Sequence, residues 1–334
     1  MKFNIVLIIA PILLFAQCHS AKKEYVYNEG TVFGGYYHIT YESSEGKDYK
    51  PEIEKMLQDF NSSLSTYDSN SIISRINNND STVKTDEFFE KMYNIAKEVS
   101  EKTNGAFDIT VAPLVNAWGF GSGNHDRTIK PNIDTILPFV GYEKIRLENH
   151  QLVKQDKRIR IDANALAPGQ AADVVAQFLD EKGSENYLIE IGGEINCKGL
   201  NAKGEKWHVG IDKPVEDPSD ENKELQAIIA VSNIGLATSG NYREFYYKDG
   251  KKYAHTIDPK TGNPVEHNLL SATVIAPTCA QADAYATACM VIGAENAVKL
   301  CESIQGLECY LIYNDKDGKN KVVQSKGFNQ FLVK

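Results

Sequence analysis

The chain has 334 residues, of which 42% are hydrophobic and 24% are charged, and its formal net charge is −9 at pH 7. The length allows one large domain or two smaller ones, and the apolar content argues against a mostly disordered chain. The acidic balance disfavours generic binding to nucleic-acid phosphates, so an anionic ligand must be held by local cations, backbone N–H groups or a metal ion.

The N-terminal residues are typical of an exported protein. Lys2 precedes an apolar run over residues 5–16, which Pro11 interrupts. The run is too short to span a bilayer as a helix. A basic start followed by a short apolar core is the pattern of a secretory signal.

Cys18 follows this run and resembles the lipid-acceptor cysteine of bacterial lipoproteins, although Gln17 replaces the small residue usual before it. We therefore expect a signal peptide over 1–17, a polar lipidated tether over 18–30 and a folded domain over 31–334. This organisation predicts a lipoprotein anchored on the periplasmic side of a bacterial membrane. A plain cleaved signal and a membrane stub remain alternatives.

The rest of the chain mixes strand and helix patterns without a regular βαβ repeat, which favours an α+β fold with mixed or antiparallel sheets and packed helices. Asp86 is a plausible N-cap for one of the helices. In chain order, the patterns predict a strand over 31–42, helices over 50–62, 86–101 and 167–183, strands over 187–191 and 228–231, helices over 280–292 and 294–305, and a closing hairpin over 310–323.

The cysteines after the signal give no metal motif. None of them forms a CxxC pair, which disfavours zinc and iron–sulfur ligation, and one sequence does not reveal disulfide pairing. These residues are Cys197, Cys279, Cys289, Cys301 and Cys309.

Asp283 and Thr287 stand out because they lie within an otherwise small and apolar helix. Their spacing of four residues places both on one helix face. A carboxylate and a hydroxyl together form a hard oxygen pair of the kind that Mg²⁺ binds. Taken alone, the pair is better explained by an N-cap aspartate and a threonine that bonds back to its own helix.

Another candidate segment surrounds His255. A short strand precedes it, and Asp258 begins the turn Asp-Pro-Lys-Thr-Gly. His255 could stabilise charge or move protons near transferred phosphates, whereas Asp258 is more readily explained as a turn residue. Residues 238–242 are predicted to form a small-residue loop that allows a ligand to approach the backbone.

Two further segments are candidates for binding flat or anionic groups. Residues 105–121 contain Trp118 and Phe120, which could stack on a ring system but are more often core residues. Residues 161–173 place an acid just before a helix start, and an exposed helix N-terminus binds anions. The sequence contains no P-loop, GxGxxG, GxSxG or HExxH motif, which disfavours the standard nucleotide folds.

Together, seven ordered segments resemble the ApbE family, the FAD:protein FMN transferases. The resemblance extends from about residue 31 to the C-terminus and implies an ApbE-like, T-fold-related flavin transferase architecture. It also implies Mg²⁺-dependent transfer of FMN from FAD to a Ser or Thr hydroxyl of a target protein, with release of AMP. The segments are 67–77, 105–121, 161–173, 190–194, 238–242, 255–262 and 282–287.

Matching these motifs residue by residue assigns the expected roles. Asp283, Thr287 and the backbone carbonyl of Ala165 would hold Mg²⁺, while His255 and Asp283 would act in the transfer step. The residues that match positions in contact with FAD are Phe33, Tyr67, Trp118, Gly119, Phe120, Asp162, Pro168 and Ile257.

Two positions depart from the family pattern. Pro168 stands where many members have a charged residue, and proline offers neither charge nor an N–H donor to a phosphate. Asn241 stands where an acid is common.

The expected partner is an exported redox or respiratory protein that carries a Ser/Thr flavinylation motif. This chain contains no Asp-x-x-Ser/Thr-Gly-Ala/Ser-Thr motif, so we do not expect self-flavinylation. A Mg²⁺-dependent FAD pyrophosphatase, which some members are, and a non-catalytic flavin-binding lipoprotein remain alternatives. Dependence of the rate on a protein acceptor separates the transferase from the pyrophosphatase.

Overall fold

The structure is a computed structural model that describes residues 23–44, 46–121, 127, 130–215, 224–242, 245–248 and 250–333. The predicted signal peptide and Cys18 lie outside these residues. Within the described part of the chain, no helix combines the length and the apolar character needed to cross a bilayer.

The fold is built from fourteen described strands and seven described helices. In chain order, the strands are β1 (Lys23–Val32), β2 (Gly35–Ser44), β3 (Ile145–Glu148), β4 (Gln151–Lys154), β5 (Tyr187–Ile191), β6 (Glu194–Lys198), β7 (Trp207–Asp212), β8 (Leu225–Val231), β9 (Ile234–Gly240), β10 (Phe245–Lys248), β11 (Lys251–Ala254), β12 (Leu269–Ala276), β13 (Glu308–Asn314) and β14 (Asn320–Gln324). The helices are α1 (Lys50–Leu64), α2 (Ile72–Asn77), α3 (Glu87–Lys102), α4 (Ala112–Ala117), α5 (Ala167–Glu181), α6 (Cys279–Ile292) and α7 (Ala294–Ser303).

Eight strands form one antiparallel sheet in the order β1-β2-β5-β6-β9-β12-β13-β14, and the pairs β3–β4, β7–β8 and β10–β11 form separate ribbons. Successive residues of β12 show how the sheet divides the interior, since Val274 packs with the helices and Ile275 packs on the opposite face. The β7–β8 ribbon and the C-terminal turn around Phe328 cover that opposite face. The prediction of an α+β fold with an antiparallel sheet is confirmed.

Helix α6 lies at the centre of the helical layer. Its alanines at 282, 284, 286 and 288 are fully buried, as is typical of a helix that is apolar on all sides. Glycines on two neighbouring elements allow the close approach. A Cβ on Gly169 of α5 would lie 2.5 Å from the Cys279 carbonyl oxygen, and one on Gly235 of β9 would lie 2.2 Å from the Cys279 nitrogen.

Most predicted elements are confirmed. The five predicted helices are α1, α3, α5, α6 and α7, and the closing hairpin is β13–β14. Asp86 caps α3, because its side chain accepts a hydrogen bond from the Phe89 N–H at 2.9 Å. The five cysteines in the described residues are free and buried, and the Sγ atoms of Cys289 and Cys301 lie 3.9 Å apart.

The N-terminal boundary of the folded part is wrong in the prediction. The tether expected over 18–30 is a strand from Lys23 onward, because β1 pairs with β2 along its whole length. The single strand expected over 31–42 contains the hairpin turn, where Phe33 and Gly34 have φ values of 53° and 78°. Alternate residues of the edge strand face solvent, so its sequence resembles a polar linker.

Candidate active site

Asp283 is buried in α6, not at its end. Thr278 is the N-cap, so the alternative that Asp283 caps the helix is wrong. The carboxylate Oδ2 accepts a hydrogen bond from the Gly169 N–H of α5 at 3.3 Å. Burial raises the pKa of Asp283 to about 7; the Gly169 N–H opposes this shift and the negative charge of Asp173 adds to it. Asp283 is therefore an anion that the protein alone stabilises poorly.

Thr287 lies one turn further along the same face of α6. Its hydroxyl is 3.3 Å from the Ser239 hydroxyl of β9, so its described contact is with the sheet rather than with its own helix. Thr287 is half-buried, whereas Ala286 and Ala288 beside it are fully buried. The Asp283–Thr287 pair thus places two candidate ligand oxygens on one face of α6, with Thr287 the more exposed of the two.

Asp173 was assigned no role from the sequence, yet it fixes α6 against α5. Its carboxylate accepts hydrogen bonds from the backbone N–H groups of Cys279 at 2.8 Å and Ala280 at 2.9 Å, and from the Asn196 side chain at 2.7 Å. The available signal was an acid flanked in sequence by two alanines and two valines within a helix pattern. The two bonds from Cys279 and Ala280 hold the α6 N-terminus against α5 and thereby set the position of Asp283, while the bond from Asn196 ties Asp173 to β6.

The loop over 161–166 leads into α5. The Asp162 N–H donates to the Ile109 carbonyl at 2.7 Å, and the Asp162 side chain accepts from the Asn164 N–H at 2.8 Å. Burial raises the pKa of Asp162 above its usual range. Ala165 is half-buried and lies two residues before the start of α5.

The N-terminus of α5 is not the open anion site expected from the sequence. The Ala167 N–H bonds to the Ala163 carbonyl, the Gly169 N–H to Asp283 and the Gln170 N–H to the Leu166 carbonyl. Pro168 has no N–H, so every donor of the first turn is accounted for. These N–H groups are therefore already bonded within the protein and are not free to bind an anion.

Trp118 and Ile257 belong to a small apolar cluster with Leu114 and Val140. The Trp118 ring is 4% exposed, and its indole nitrogen donates to the Gly262 carbonyl at 2.8 Å. Its ring is stacked with that of Tyr253, with centroids 5.5 Å apart. Trp118 is therefore a core residue, the alternative that the sequence favoured, and its contact with FAD stays a prediction.

Phe120 lies beside His255 and completes an aromatic group with Tyr246. The ring of Phe120 is 5.3 Å from that of Tyr246 and meets the His255 ring edge-on at 6.4 Å. Arg127, which the sequence did not single out, donates through Nε and Nη2 to the Gly119 carbonyl at 3.0 and 2.9 Å. Gly119 has φ of 81°, and a Cβ there would meet the Arg127 side chain at 2.7 Å, so this contact requires glycine.

His255 directly follows β11, and the turn after it is structural. The Asp258 carboxylate accepts from the Lys260 N–H at 2.9 Å and from the Thr261 hydroxyl at 3.1 Å, which confirms Asp258 as a turn residue. The Thr256 hydroxyl donates to the Asn241 Oδ1 at 2.6 Å, so the amide replacing the common acid has a buried structural contact.

The loop predicted over 238–242 is wrong in its first half. Residues 238–240 are the last residues of strand β9 and pair with β12. The side chains of Thr238 and Ser239 therefore point to opposite faces of the sheet. The Thr238 hydroxyl contacts Thr273 at 2.8 Å, while Ser239 faces Thr287.

Phe33 and Tyr67 both lie on connections and expose ring surface. Phe33 occupies the β1–β2 turn, is 38% exposed and packs against Phe60 with ring centroids 5.6 Å apart. Tyr67 follows α1 and is 75% exposed. Unlike Trp118, these two rings remain accessible to a ligand.

A family model described as ApbE family matches residues 33–311. The chain belongs to the ApbE family. It is 35% identical to the FAD:protein FMN transferase of Vibrio cholerae serotype O1, over 99% of both chains.

Solved structures of the ApbE family share the fold of this chain. The flavin transferase ApbE from Vibrio cholerae is 35% identical and superposes with a TM-score of 0.82, covering 93% of this chain and 100% of that one. The apo flavinyl transferase ApbE of Pseudomonas stutzeri is 29% identical, with a TM-score of 0.80 and coverage of 92% and 96%. Asp283, Thr287, Phe120 and His255 thus lie on a scaffold shared with flavin transferases.

Proposed function

We propose that this chain is a Mg²⁺-dependent FAD:protein FMN transferase, which transfers FMN from FAD to a Ser or Thr hydroxyl of a partner protein and releases AMP. The observation that carries the proposal is the buried carboxylate of Asp283, held between α5 and α6 on a fold shared with named flavin transferases. The relatives are named as transferases, which favours FMN transfer over FAD hydrolysis and over passive flavin binding.

The donors assigned to the metal suit Mg²⁺ chemically. The Asp283 carboxylate, the Thr287 hydroxyl and the Ala165 carbonyl are hard oxygen atoms, and Mg²⁺ binds such groups together with water and substrate phosphates. A buried carboxylate close to a second buried carboxylate, Asp173, is costly as an anion unless a cation compensates it. Within the described residues, no cluster of three or more His, Cys, Asp or Glu offers an alternative metal site.

When bound, the metal would neutralise negative charge on the FAD pyrophosphate as the phosphoryl bond breaks. The chain's own residues supply orientation. Phe120 packs edge-on against His255 and holds the imidazole beside the segment 118–120. We assign to His255 the acceptance of the proton from the attacking hydroxyl or the stabilisation of phosphoryl oxygens.

The partner and the location belong to the same proposal. The basic start, the short apolar run and Cys18 support export and lipidation at a bacterial membrane. An enzyme placed there would modify an exported redox protein that presents a Ser/Thr flavinylation motif.

The test uses the full chain in detergent, FAD and Mg²⁺, with and without an acceptor domain that carries the motif. We expect the acceptor to gain the mass of one FMN with release of AMP. The gain should be lost with EDTA and in Asp283→Ala, but retained in Asp180→Ala, which removes an exposed carboxylate of α5. Release of AMP without an acceptor adduct would instead identify a pyrophosphatase, and bound FAD without either product would identify a flavin-binding protein.

A further inference from the structure

Asn77, the last residue of α2, pairs with the backbone of a residue that is 84 positions away. Its Nδ2 donates to the Ile161 carbonyl at 2.8 Å, and its Oδ1 accepts from the Ile161 N–H at 2.8 Å. The side-chain amide therefore replaces a strand partner for Ile161, which lies outside the described strands.

The surroundings of this pair hold the same two segments together. Lys154 donates to the carbonyls of Ile76 at 3.0 Å and Ile159 at 3.1 Å, and Arg160 donates to the Asn77 carbonyl. Two cations thus bind the C-terminal carbonyls of α2, where the helix dipole favours positive charge. The end of α2 is consequently fixed against residues 159–161.

The position of Ile161 determines where the candidate ligand-binding loop begins. Ile161 is 1% exposed, so its N–H and carbonyl would be left unsatisfied in the interior without Asn77. The next residue, Asp162, is anchored to Ile109, and the chain then passes Ala165 and enters α5. A shift at Ile161 would therefore displace Asp162 and Ala165, the residues of this loop that are assigned to FAD and to the metal.

We propose that Asn77 is a positioning residue that sets the loop over 161–166 in the geometry required to bind FAD and the metal. This inference rests on the proposed function, because that function assigns Asp162 and Ala165 their ligands. Asn77 is also the last residue of the segment that begins at Tyr67, so its hydrogen bonds to Ile161 connect two parts of the candidate FAD site.

The test compares Asn77→Ala with Asn186→Ala in the full chain. Asn186 is a matched control because its side-chain amide also makes two long-range hydrogen bonds: it donates to Glu42 at 2.7 Å and accepts from the Leu200 N–H at 2.7 Å, beside β2 and β5 and away from residues 159–166. We expect both variants to lose a similar amount of thermal stability. Only Asn77→Ala should raise the Kd for FAD and for Mg²⁺ and the KM for FAD, by about 10- to 100-fold, with a smaller change in kcat.

Hydrogen exchange gives a readout that does not depend on activity. Amides over 161–166 should exchange faster in Asn77→Ala than in the wild-type chain or in Asn186→Ala. If Asn77→Ala does not fold, Asn77→Asp keeps the size and the acceptor oxygen but loses the donor to Ile161, and we expect the same rise in Kd and KM.

Unchanged FAD and Mg²⁺ affinity in the Asn77 variants, or an equal loss in Asn186→Ala, would overturn the inference about Asn77 while leaving the transferase intact. A wild-type chain that bound FAD but transferred no FMN would overturn the proposed function, and the hydrogen-exchange and affinity comparison would still decide the role of Asn77. A wild-type chain that bound no FAD would overturn both.

Discussion

At the residue scale, the proposed chemistry depends on the Asp283 carboxylate, whose ionisation the protein opposes. Burial raises the pKa of Asp283 to about 7, far above that of an exposed aspartate in the unfolded chain. Below about pH 7 the metal-free folded protein therefore keeps the Asp283 carboxyl protonated, whereas the unfolded chain loses this proton at about pH 4. The stability of the folded state consequently falls as the pH rises between these two pKa values. In the proposed site, Mg²⁺ would bind the ionised carboxylate, so Mg²⁺ affinity should increase with pH up to about 7.

Asp283→Asn should make the metal-free protein more stable than the wild type at pH 8, because the amide removes a buried charge. The difference in Tm should grow from pH 4 to pH 7 and then level off, reaching several degrees, at about 2–4 °C for each kcal/mol. Thermal unfolding in EDTA across this range measures it. The variant should bind no Mg²⁺ at the site, and a variant that is less stable than the wild type at pH 8 would contradict the assigned cost.

His255→Ala should abolish FMN transfer yet leave FAD binding nearly unchanged. The reason is that His255 is assigned to the proton or the phosphoryl oxygens, whereas other residues hold the flavin and the metal. Flavin fluorescence and acceptor mass would measure the two properties separately. His208→Ala, at an exposed position of β7, serves as the control, and loss of FAD binding in His255→Ala would count against the assigned role.

At the scale of elements, the candidate metal site lies where α5 packs against α6. Gly169 allows the backbones to meet, Asp173 anchors the start of α6, and the Gly169 N–H contacts Asp283. The sequence predicted both helices from their apolar spacing, but it could not show that they touch at these residues. Close backbone approach depends on which faces meet, and periodicity alone leaves that open.

Gly169→Ala should destabilise the fold by about 1–3 kcal/mol, since the added Cβ would lie 2.5 Å from a backbone carbonyl that cannot rotate away. The displaced helix should also weaken Mg²⁺ binding. Urea unfolding and metal titration measure the two effects, with Asp180→Ala on the exposed side of α5 as the control. Wild-type behaviour of Gly169→Ala would show that α5 and α6 have room to separate.

At the scale of the whole molecule, an antiparallel eight-stranded sheet carries helices on one face and the β7–β8 ribbon on the other. Strand β1 closes one edge of this sheet and is anchored by Asn28, whose buried amide donates to Asp48 at 3.0 Å. The folded domain therefore includes residues that the sequence assigned to a tether.

A chain that starts at residue 31 should be markedly less stable than one that starts at residue 23, because it lacks most of β1 and exposes the β2 edge. Thermal unfolding of the two truncated chains checks this, with the full chain in detergent as the reference. Equal melting temperatures would mean that β1 adds nothing to the stability of the sheet and that a domain beginning at residue 31 folds as stably.

The sequence by itself determined the long helices, the α+β class, the resemblance to the ApbE family and the candidate residues, because apolar periodicity and ordered motifs are local properties. Only the tertiary structure decided that Trp118 is enclosed, that the first turn of α5 has no free donor, that Asp283 is buried beside Asp173, and that Asn77 supports Ile161. Each of these depends on contacts between residues far apart in the chain. The burial, hydrogen bonding and charge of a side chain are set by neighbours that no local pattern contains.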